Sequence, residues 1–328
     1  GSRDEQHPNN RGFDLFYGMK AGGRDYFYNE KKSDRPGDER NLLLNDRQVK
    51  FEKYLTDAFS EKAVEFINES SQPFMMYLAY NAVHTPMQAT DEDMAKFEGH
   101  PRQKLAAMTY ALDRGVGTVI RGLKDSGKFD NTLIFFLSDN GGATTNQSSN
   151  YPLKGFKGNK FEGGHRVPYF VVWKNGIPAG KPYDGLVSSL DIFATAIDAA
   201  SISKTRNRLD GVSLLPYLKG KKGEPHKVLY WRKMDTRAIR SGDYKLIITH
   251  GVDSVLYNIR RDPEEMNNLI NKEPDLYRKL AKKLAKWEKN ECIEPSWLEE
   301  GWRKITNRYH QQLMHNEIKT AQDLYKKK

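Results

Sequence analysis

The residue pair Asp139 and Asn140 is the clearest candidate for ion chemistry in the sequence. It follows an apolar run at 133–137 and precedes two glycines. A carboxylate and a carboxamide oxygen on a turn are the oxygen ligands that a hard divalent cation such as Ca²⁺ prefers. An Asp-Asn-Gly sequence is also common in ordinary turns, so this pair alone leaves both interpretations open.

Two further segments carry side chains suited to an oxyanion. His84 follows the apolar run 74–80, and an imidazole at the end of a strand can donate a hydrogen bond to an anion; a packed or capping histidine would have the same pattern. In Leu153–Pro168, glycines that permit close backbone approach alternate with cationic or imidazole side chains, as they also do in flexible basic surface loops. The candidate side chains of this segment are Lys154, Lys157, Lys160 and His165.

The apolar runs before these segments have the length of buried strands, and amphipathic segments separate them. Strands are predicted at 74–80, 132–137 and 167–173, and helices at 46–68, 102–125 and 190–200. This alternation predicts an α/β fold with a large, mixed, mainly parallel sheet flanked by helices. Ligands of such sheets bind beyond the carboxyl ends of the strands, where two of the polar segments lie. A metal ion, a histidine and a Gly/Lys loop together indicate a hydrolase of phosphate or sulfate esters.

The pattern changes after the basic stretch 219–225. Short strands separated by turns are predicted at 227–231, 236–241, 244–249 and 254–258, followed by a helix that opens at Pro274. We therefore expect residues 1–222 to be part of a catalytic α/β domain. Residues 223–328 should form a smaller domain of an antiparallel sheet and a helix, with a helical tail.

Composition restricts the possible functions. The net charge of +10 is concentrated after residue 219, which fits either attraction to a polyanion or solvated helix faces. The single cysteine, Cys292, excludes an intramolecular disulfide, a Cys-rich zinc site and a CxxC redox motif. No apolar run approaches the roughly 18–20 residues of a membrane-spanning helix, so no span is predicted.

The segments resemble, in the same order, the sulfatases of the alkaline-phosphatase superfamily. The resemblance runs from His7 to about Asn290, and its most specific part is KG.K..FEGG.RVP within Leu153–Pro168. The other matching segments are HP…GFD.FYG from His7, Asn81–Pro86, Leu137–Gly142, Val187–Thr195, Asp210–Gly220 and Leu256–Leu269. The resemblance implies an alkaline-phosphatase-like fold and calcium-assisted hydrolysis of a sulfate ester.

The resemblance also implies roles for individual residues. Asp139 and Asn140 would be calcium ligands, and His84 and Lys157 would contact the sulfate oxygens as catalytic residues. Lys154, Lys160 and His165 are candidates for the substrate-binding rim. The implied substrate is a sulfated carbohydrate or an aryl sulfate, with no nucleic acid partner. The implied location is periplasmic, extracellular or lysosomal.

The sequence departs from the family pattern at the nucleophile. Sulfatases need a Cys or Ser, in a C/S-x-P-x-R motif, that is oxidised to formylglycine, and no such motif occurs here. The paired aspartates and the GKWHLG segment of the family are also missing. We therefore expect this chain to be a fragment whose nucleophile lies on an upstream segment, and to be inactive alone.

Two alternatives remain at this stage. A phosphate- or phosphonate-ester hydrolase of the same superfamily would use a Ser or Thr nucleophile and a pair of zinc ions, for which the chain offers few clustered histidines. The second alternative is a non-catalytic protein that binds sulfated glycans or nucleic acid. Only the positive charge of the C-terminal third supports it.

Overall fold

The computed structural model describes residues 3–146, 148–202, 208–292 and 300–326. The chain forms two compact units, Gly1–Asp130 and Asn131–Lys328. In the described residues, no helix combines the length and apolar character needed to cross a bilayer.

The first unit contains a small antiparallel sheet and three helices. The strands β1 (Tyr17–Gly18), β2 (Leu43–Leu44) and β3 (Arg47–Gln48) pair in that order. The helices are α1 (Leu55–Glu69), α2 (Asp91–Ala95) and α3 (Gln103–Asp125), with 3₁₀ turns at Asp4–Gln6 and Pro8–Arg11. Helix α3 confirms the helix predicted at 102–125 almost residue for residue.

Helix α1 begins nine residues later than its periodicity predicted. Residues 47–48 pair as β3, and Tyr54 is the extended residue that precedes the helix. Phe51 and Tyr54 pack into the same core as Leu55 and Phe59. The apolar residues before Leu55 therefore contribute to the core from an irregular segment and not from a longer helix.

No strand is assigned to the run Phe74–Tyr80. Its side chains alternate between half-buried and exposed, and Met75 and Tyr77 are among the exposed ones. Tyr80 lies 2.7 Å from the Ser60 hydroxyl of α1. The strand predicted at 74–80 is therefore not confirmed.

The second unit contains two sheets. A two-stranded sheet consists of β4 (Ile134–Leu137) and β5 (Tyr169–Val172), and a four-stranded sheet consists of β6 (Val228–Lys233), β7 (Thr236–Ser241), β8 (Tyr244–Thr249) and β9 (Asp253–Asn258). The helices are α4 (Glu162–His165), α5 (Asp191–Ala199), α6 (Leu215–Leu218), α7 (Pro274–Glu291), α8 (Glu300–Met314) and α9 (Asp323–Lys326). A further 3₁₀ turn spans Phe129–Asn131.

The strand directions correct one part of the predicted architecture. β4 and β5 pair antiparallel, with Leu137 opposite Tyr169, and all the pairings found in the described residues are antiparallel. The mainly parallel sheet is therefore not confirmed. A fully apolar strand has the same composition in either direction, so composition could not settle this point. The antiparallel order β6-β7-β8-β9 confirms the predicted meander. The predicted domain boundary near residue 222 falls between α6 and β6, inside the second unit, and stays a prediction.

The four-stranded sheet has two apolar faces. Helix α7 covers one face, where Leu280 and Leu284 cluster with Leu246 and Leu256. The other face packs against Phe156 and Phe161 of the Leu153–Pro168 segment and against Leu313 of α8; its members include Ile247, Val255 and Tyr257. The sheet therefore supports the segment that carries the candidate lysines.

Truncation of Leu256 tests the core under α7. Leu256 is fully buried, so Leu256→Ala should lower the free energy of unfolding by about 2–5 kcal/mol through lost burial and a residual cavity. Leu190→Ala, at a side chain that is 58% exposed, should change it by less than about 0.5 kcal/mol. Urea denaturation followed by circular dichroism measures both. Equal losses in the two variants would contradict this description of the core.

Candidate active site

The turn after β4 carries the predicted metal ligands. The Ser138 hydroxyl donates to the Asn140 carbonyl oxygen at 2.8 Å, which closes the turn. The Asp139 side chain is exposed and that of Asn140 is half-buried. Within the described ranges, neither side chain has a hydrogen-bond or ion-pair partner, so their oxygens are available to a ligand.

Close backbone contact attaches this turn to α4. The Gly141 N–H donates to the Gly164 carbonyl oxygen at 3.1 Å. A Cβ atom added to Gly141 would lie 1.8 Å from the carbonyl oxygen of Gly163, which no side chain could accommodate. Glycine at position 141 is therefore required for the turn to reach the FEGG sequence of α4.

Lys157 lies on a loop that is hydrogen-bonded to the same turn. Its N–H donates to the Gly142 carbonyl oxygen at 3.0 Å. Asn150 joins the two loops, because its carboxamide accepts from the Gly142 N–H at 2.8 Å and donates to the Gly155 carbonyl oxygen at 3.0 Å. The Lys157 side chain is exposed, and no carboxylate of the described residues pairs with it. The second unit thus brings Lys157 and the Asp139–Asn140 turn together on adjoining loops.

His84 belongs to the first unit, where its side chain is exposed. Its Nδ1 lies 2.7 Å from the Thr85 carbonyl oxygen, which can only accept, so Nδ1 carries the proton of that bond. Tyr26 positions the backbone by donating to the carbonyl oxygens of Asn81 and His84 at 2.7 and 2.9 Å. The imidazole lines a cleft of about 490 Å³ together with Gly23, Arg24, Asp25, Lys32, Arg40, Thr85 and Pro86. Of the three cations in this lining, Arg24 is paired with Asp34 and Arg40 with Asp38.

Lys154 does not lie on a rim, which corrects its predicted role. The side chain is fully buried, and its ammonium donates to the Glu265 carbonyl oxygen at 3.0 Å and to the Asn316 side chain. The rings of Phe161 and Tyr257 flank it at 5.0 and 5.7 Å. Burial lowers the pKa of Lys154 to about 8. Lys154 therefore anchors the segment and is not available to a substrate.

Lys160 and His165 are both half-buried. The His165 Nε2 donates to the Lys160 carbonyl oxygen at 3.1 Å, and its ring stacks on Trp231 with the centroids 4.5 Å apart. Burial lowers the pKa of His165 to about 3, so the ring is neutral. His165 therefore fixes the backbone of Lys160, and contact of either side chain with substrate stays a prediction.

Comparison with known families identifies the family of the chain. The sequence model of the sulfatases, described as "Sulfatase", matches residues 1–202. A second model, described as "N-sulphoglucosamine sulphohydrolase, C-terminal", matches residues 157–290. The chain belongs to the sulfatase family.

Curated sulfatases are similar to this chain over most of its length. The uncharacterized sulfatase YdeN of Escherichia coli K12 is 38% identical over 240 residues, which cover 70% of this chain and 41% of the relative. The N-acetylgalactosamine-6-sulfatase of Canis lupus familiaris is 29% identical over 260 residues, which cover 75% of this chain and 49% of the relative. The chain thus spans about half the length of these relatives or less.

A solved structure matches almost the whole chain. The crystal structure of Ps i-CgsB in complex with k-i-k-neocarrahexaose superimposes with a TM-score of 0.84 at 36% identity, and the match covers 97% of this chain and 75% of that one. This likeness extends over both units of the chain.

A buried charge network fixes the FEGG segment of this sulfatase, and sequence reasoning missed it. The Lys245 ammonium of β8 lies 2.8 Å from a Glu162 carboxylate oxygen and 3.0 Å from one of Glu265. Glu265 also accepts the Glu162 N–H at 2.6 Å, and Arg240 approaches Glu162 at 3.4 Å. Both carboxylates and Lys245 are buried. The glutamate before the two glycines was the available signal, since a buried acidic residue requires a cation.

The pKa values of the two carboxyl groups of the network are shifted in opposite directions. Burial alone would raise the pKa of Glu162, but the charges of Lys245 and Arg240 hold it below its usual range. Burial and the neighbouring Glu162 charge raise the pKa of Glu265, against the opposing effect of Lys245. The cation of Lys245 therefore favours the charged form of Glu162 most strongly.

The donor set fits a calcium ion only in part. Asp139 and Asn140 supply two hard oxygen donors, whereas Ca²⁺ takes six to eight oxygen ligands. Across the part of the chain that the structure describes, no group of three or more His, Cys, Asp or Glu side chains is arranged to hold a metal. These two residues therefore suit a calcium ion that draws its other ligands from elsewhere.

Removal of the Lys245 cation tests the charge network. Lys245→Met leaves two buried carboxylates without their shared cation and should lower the free energy of unfolding by about 3–5 kcal/mol. Adding Glu265→Gln to that variant should recover part of the loss, because it removes one uncompensated charge. Lys227→Met, at an exposed lysine before β6, is the matched control. Chemical denaturation followed by tryptophan fluorescence measures all three, and a Lys245→Met loss no larger than the control's would refute the network.

Proposed function

We propose that the protein to which this chain belongs hydrolyses sulfate esters of carbohydrates. The observation that carries the proposal is Lys157: an exposed ammonium without a carboxylate partner in the described residues, on a loop hydrogen-bonded to the turn of Asp139 and Asn140. Such a loop suits a tetrahedral anion held beside a metal ion. Membership of the sulfatase family supports sulfate as that anion.

Lys157 and His84 act on the sulfate oxygens in this proposal. Negative charge accumulates on the ester and sulfate oxygens as the S–O bond breaks, and a fixed ammonium stabilises that charge. The backbone bond from Lys157 to Gly142 orients the loop before the substrate arrives. The Nδ1 bond of His84 to the Thr85 carbonyl oxygen orients the ring, and Nε2 can donate to a sulfate oxygen only in the imidazolium form, in which both ring nitrogens carry a proton.

Asp139 and Asn140 would hold the calcium ion. When bound, the ion would neutralise charge on the sulfate group and on the attacking group. The rigid turn, closed by Ser138 and packed against Gly163, sets the direction of both donor side chains.

The nucleophile of the proposed reaction is a formylglycine outside these 328 residues. The sequence contains no C/S-x-P-x-R motif that could provide it. The overall reaction converts the ester and one water into an alcohol, a sulfate ion and a proton. This chain by itself should bind anions without cleaving the ester.

The carbohydrate substrate is supported by the relatives. One is an N-acetylgalactosamine-6-sulfatase, and one solved relative was crystallised with k-i-k-neocarrahexaose. The proposal takes from them a sulfated saccharide as the substrate class, in preference to a small aryl sulfate. The same resemblance supports a periplasmic, extracellular or lysosomal location.

Replacement of Lys157 tests the catalytic assignment. In the full-length protein, Lys157→Ala should lower kcat for a sulfated saccharide about 10²–10³-fold, because a preorganised charge opposite the departing oxygen is lost. Lys181→Ala, at another exposed lysine of the second unit, is the control and should retain activity. Sulfate release measured by ion chromatography gives both rates. Retained turnover in Lys157→Ala would remove the basis of the proposal.

Replacement of Asp139 tests the metal assignment. Asp139→Ala should weaken calcium binding, measured by isothermal titration calorimetry on the chelator-treated full-length protein, at least tenfold, because a charged ligand is lost. Asp184→Ala, another exposed aspartate of the second unit, should bind calcium as the wild type does. Unchanged affinity in Asp139→Ala would exclude this residue as a ligand, whatever the enzymatic activity.

A further inference from the structure

Lys233, the last residue of β6, reaches the loop that carries Lys157. Gly158 follows Lys157 and has a φ of +96°, and a Cβ atom added there would lie 3.0 Å from the Lys233 Nζ. The Lys233 ammonium therefore lies over the backbone next to Lys157. A side chain at position 158 would crowd the ammonium in addition to straining the backbone.

Three lysines thus gather around one loop. Burial, and then the charges of Lys233 and Lys245, lower the pKa of Lys160 to about 8. Burial and then the charge of Lys157 lower the pKa of Lys233. Lys245 is neutralised by its two glutamates, but no ion pair with a carboxylate is found for Lys157, Lys160 or Lys233 in the described ranges.

A buried histidine, His310 of α8, lies within electrostatic range of Lys160 and Lys233. Its Nδ1 lies 2.8 Å from the Thr306 carbonyl oxygen, so Nδ1 carries the proton and Nε2 presents a lone pair. The Nε2 atom is buried and has no hydrogen-bond partner. Burial, with Lys160 and Lys233 as nearby cations, lowers the pKa of His310 to about 4, so the ring is neutral. A neutral acceptor suits an ammonium, although no lysine donates to this Nε2 in the described residues.

The position of Lys160 is fixed from a second side. Its carbonyl oxygen accepts from His165, whose ring stacks on Trp231 of β6, two residues before Lys233. Gathering like charges in a half-buried place raises the free energy of the folded protein unless an anion lies among them. The protein nonetheless keeps these lysines together, with His165 of α4 bonded to the Lys160 backbone and Lys233 of β6 over Gly158.

We propose that Lys160 and Lys233 form a second anion subsite beside Lys157, which binds another anionic group, sulfate or carboxylate, of the same saccharide. The inference rests on the proposed function, since Lys157 is there assigned to the sulfate that is cleaved. It makes a saccharide with at least two anionic groups the preferred substrate. It also makes Lys233, a residue of the four-stranded sheet, a determinant of substrate specificity.

Substrate comparison with the full-length protein tests the subsite. The three substrates are a disaccharide with two sulfate esters, one with a sulfate ester and a uronate carboxylate, and one with a single sulfate ester. In Lys233→Met, the ratio of kcat/KM for the disulfated over the monosulfated disaccharide should fall about 10- to 100-fold, as loss of a charged hydrogen bond predicts. Lys233→Arg should preserve most of the ratio, and Lys227→Met is the matched control outside the subsite. The uronate substrate tells whether a carboxylate can replace the second sulfate.

The outcomes separate this inference from the proposed function. An equal loss on all substrates, or no loss in Lys233→Met, would overturn the subsite. If the wild type cleaves no sulfate ester, the proposed function fails, and calorimetry of the disulfated and monosulfated disaccharides with wild type and Lys233→Met still decides the subsite. A preference for the disulfated ligand that disappears in Lys233→Met would support it there too. Thermal melts identify any variant that fails to fold, and Lys160→Met then repeats the comparison.

Discussion

The pairing of buried charges in the second unit determines where the catalytic candidate Lys157 lies. Glu162 lies five residues after Lys157. It is buried together with Glu265, and both carboxylates pair with the Lys245 ammonium of the four-stranded sheet. Buried carboxylates are stable only when paired, so Glu162 cannot move away from the sheet without leaving an uncompensated charge. Lys154, three residues before Lys157, is attached to the backbone of Glu265. The loop is therefore fixed at both ends, and the exposed Lys157 between them has a defined position.

Several segments that resemble the family pattern have structural roles in this chain. Asp191, at the start of α5, accepts the backbone N–H groups of Ser188 and Val212 and pairs with His226 at 2.7 Å. Gly141 is required by backbone contact with Gly163. These residues hold loops in place and do not face a ligand. A dense set of family-like motifs therefore specifies the fold and the core of the site, whereas substrate selection depends on side chains such as Lys233 that lie outside them.

The sequence predicted the elements with strong periodicity and missed what depends on distant contacts. The α3 helix and the four-stranded meander follow from local patterns, and both are present. Strand direction could not be predicted, because β4 and β5 are apolar throughout. Lys154 and Lys157 have the same residue type on the same loop, and only partners more than one hundred residues away distinguish them. The sequence places such lysines near a site but does not tell which is buried.

The structure also separates two explanations of the positive charge in the last third of the chain. Many of its cations are compensated or solvated: Arg237 pairs with Glu288 at 2.9 Å and Arg303 with Asp235 at 2.7 Å, while α7 exposes Lys282, Lys283 and Lys286 to solvent. A charged helix face of this kind attracts polyanions only weakly and in a salt-dependent manner. Lys233 differs, because it is half-buried, unpaired within the described residues and adjacent to a catalytic candidate. The electrostatic attraction proposed for recognition of the saccharide is therefore local to the loop of Lys157. The net charge of the chain is a poor guide to it.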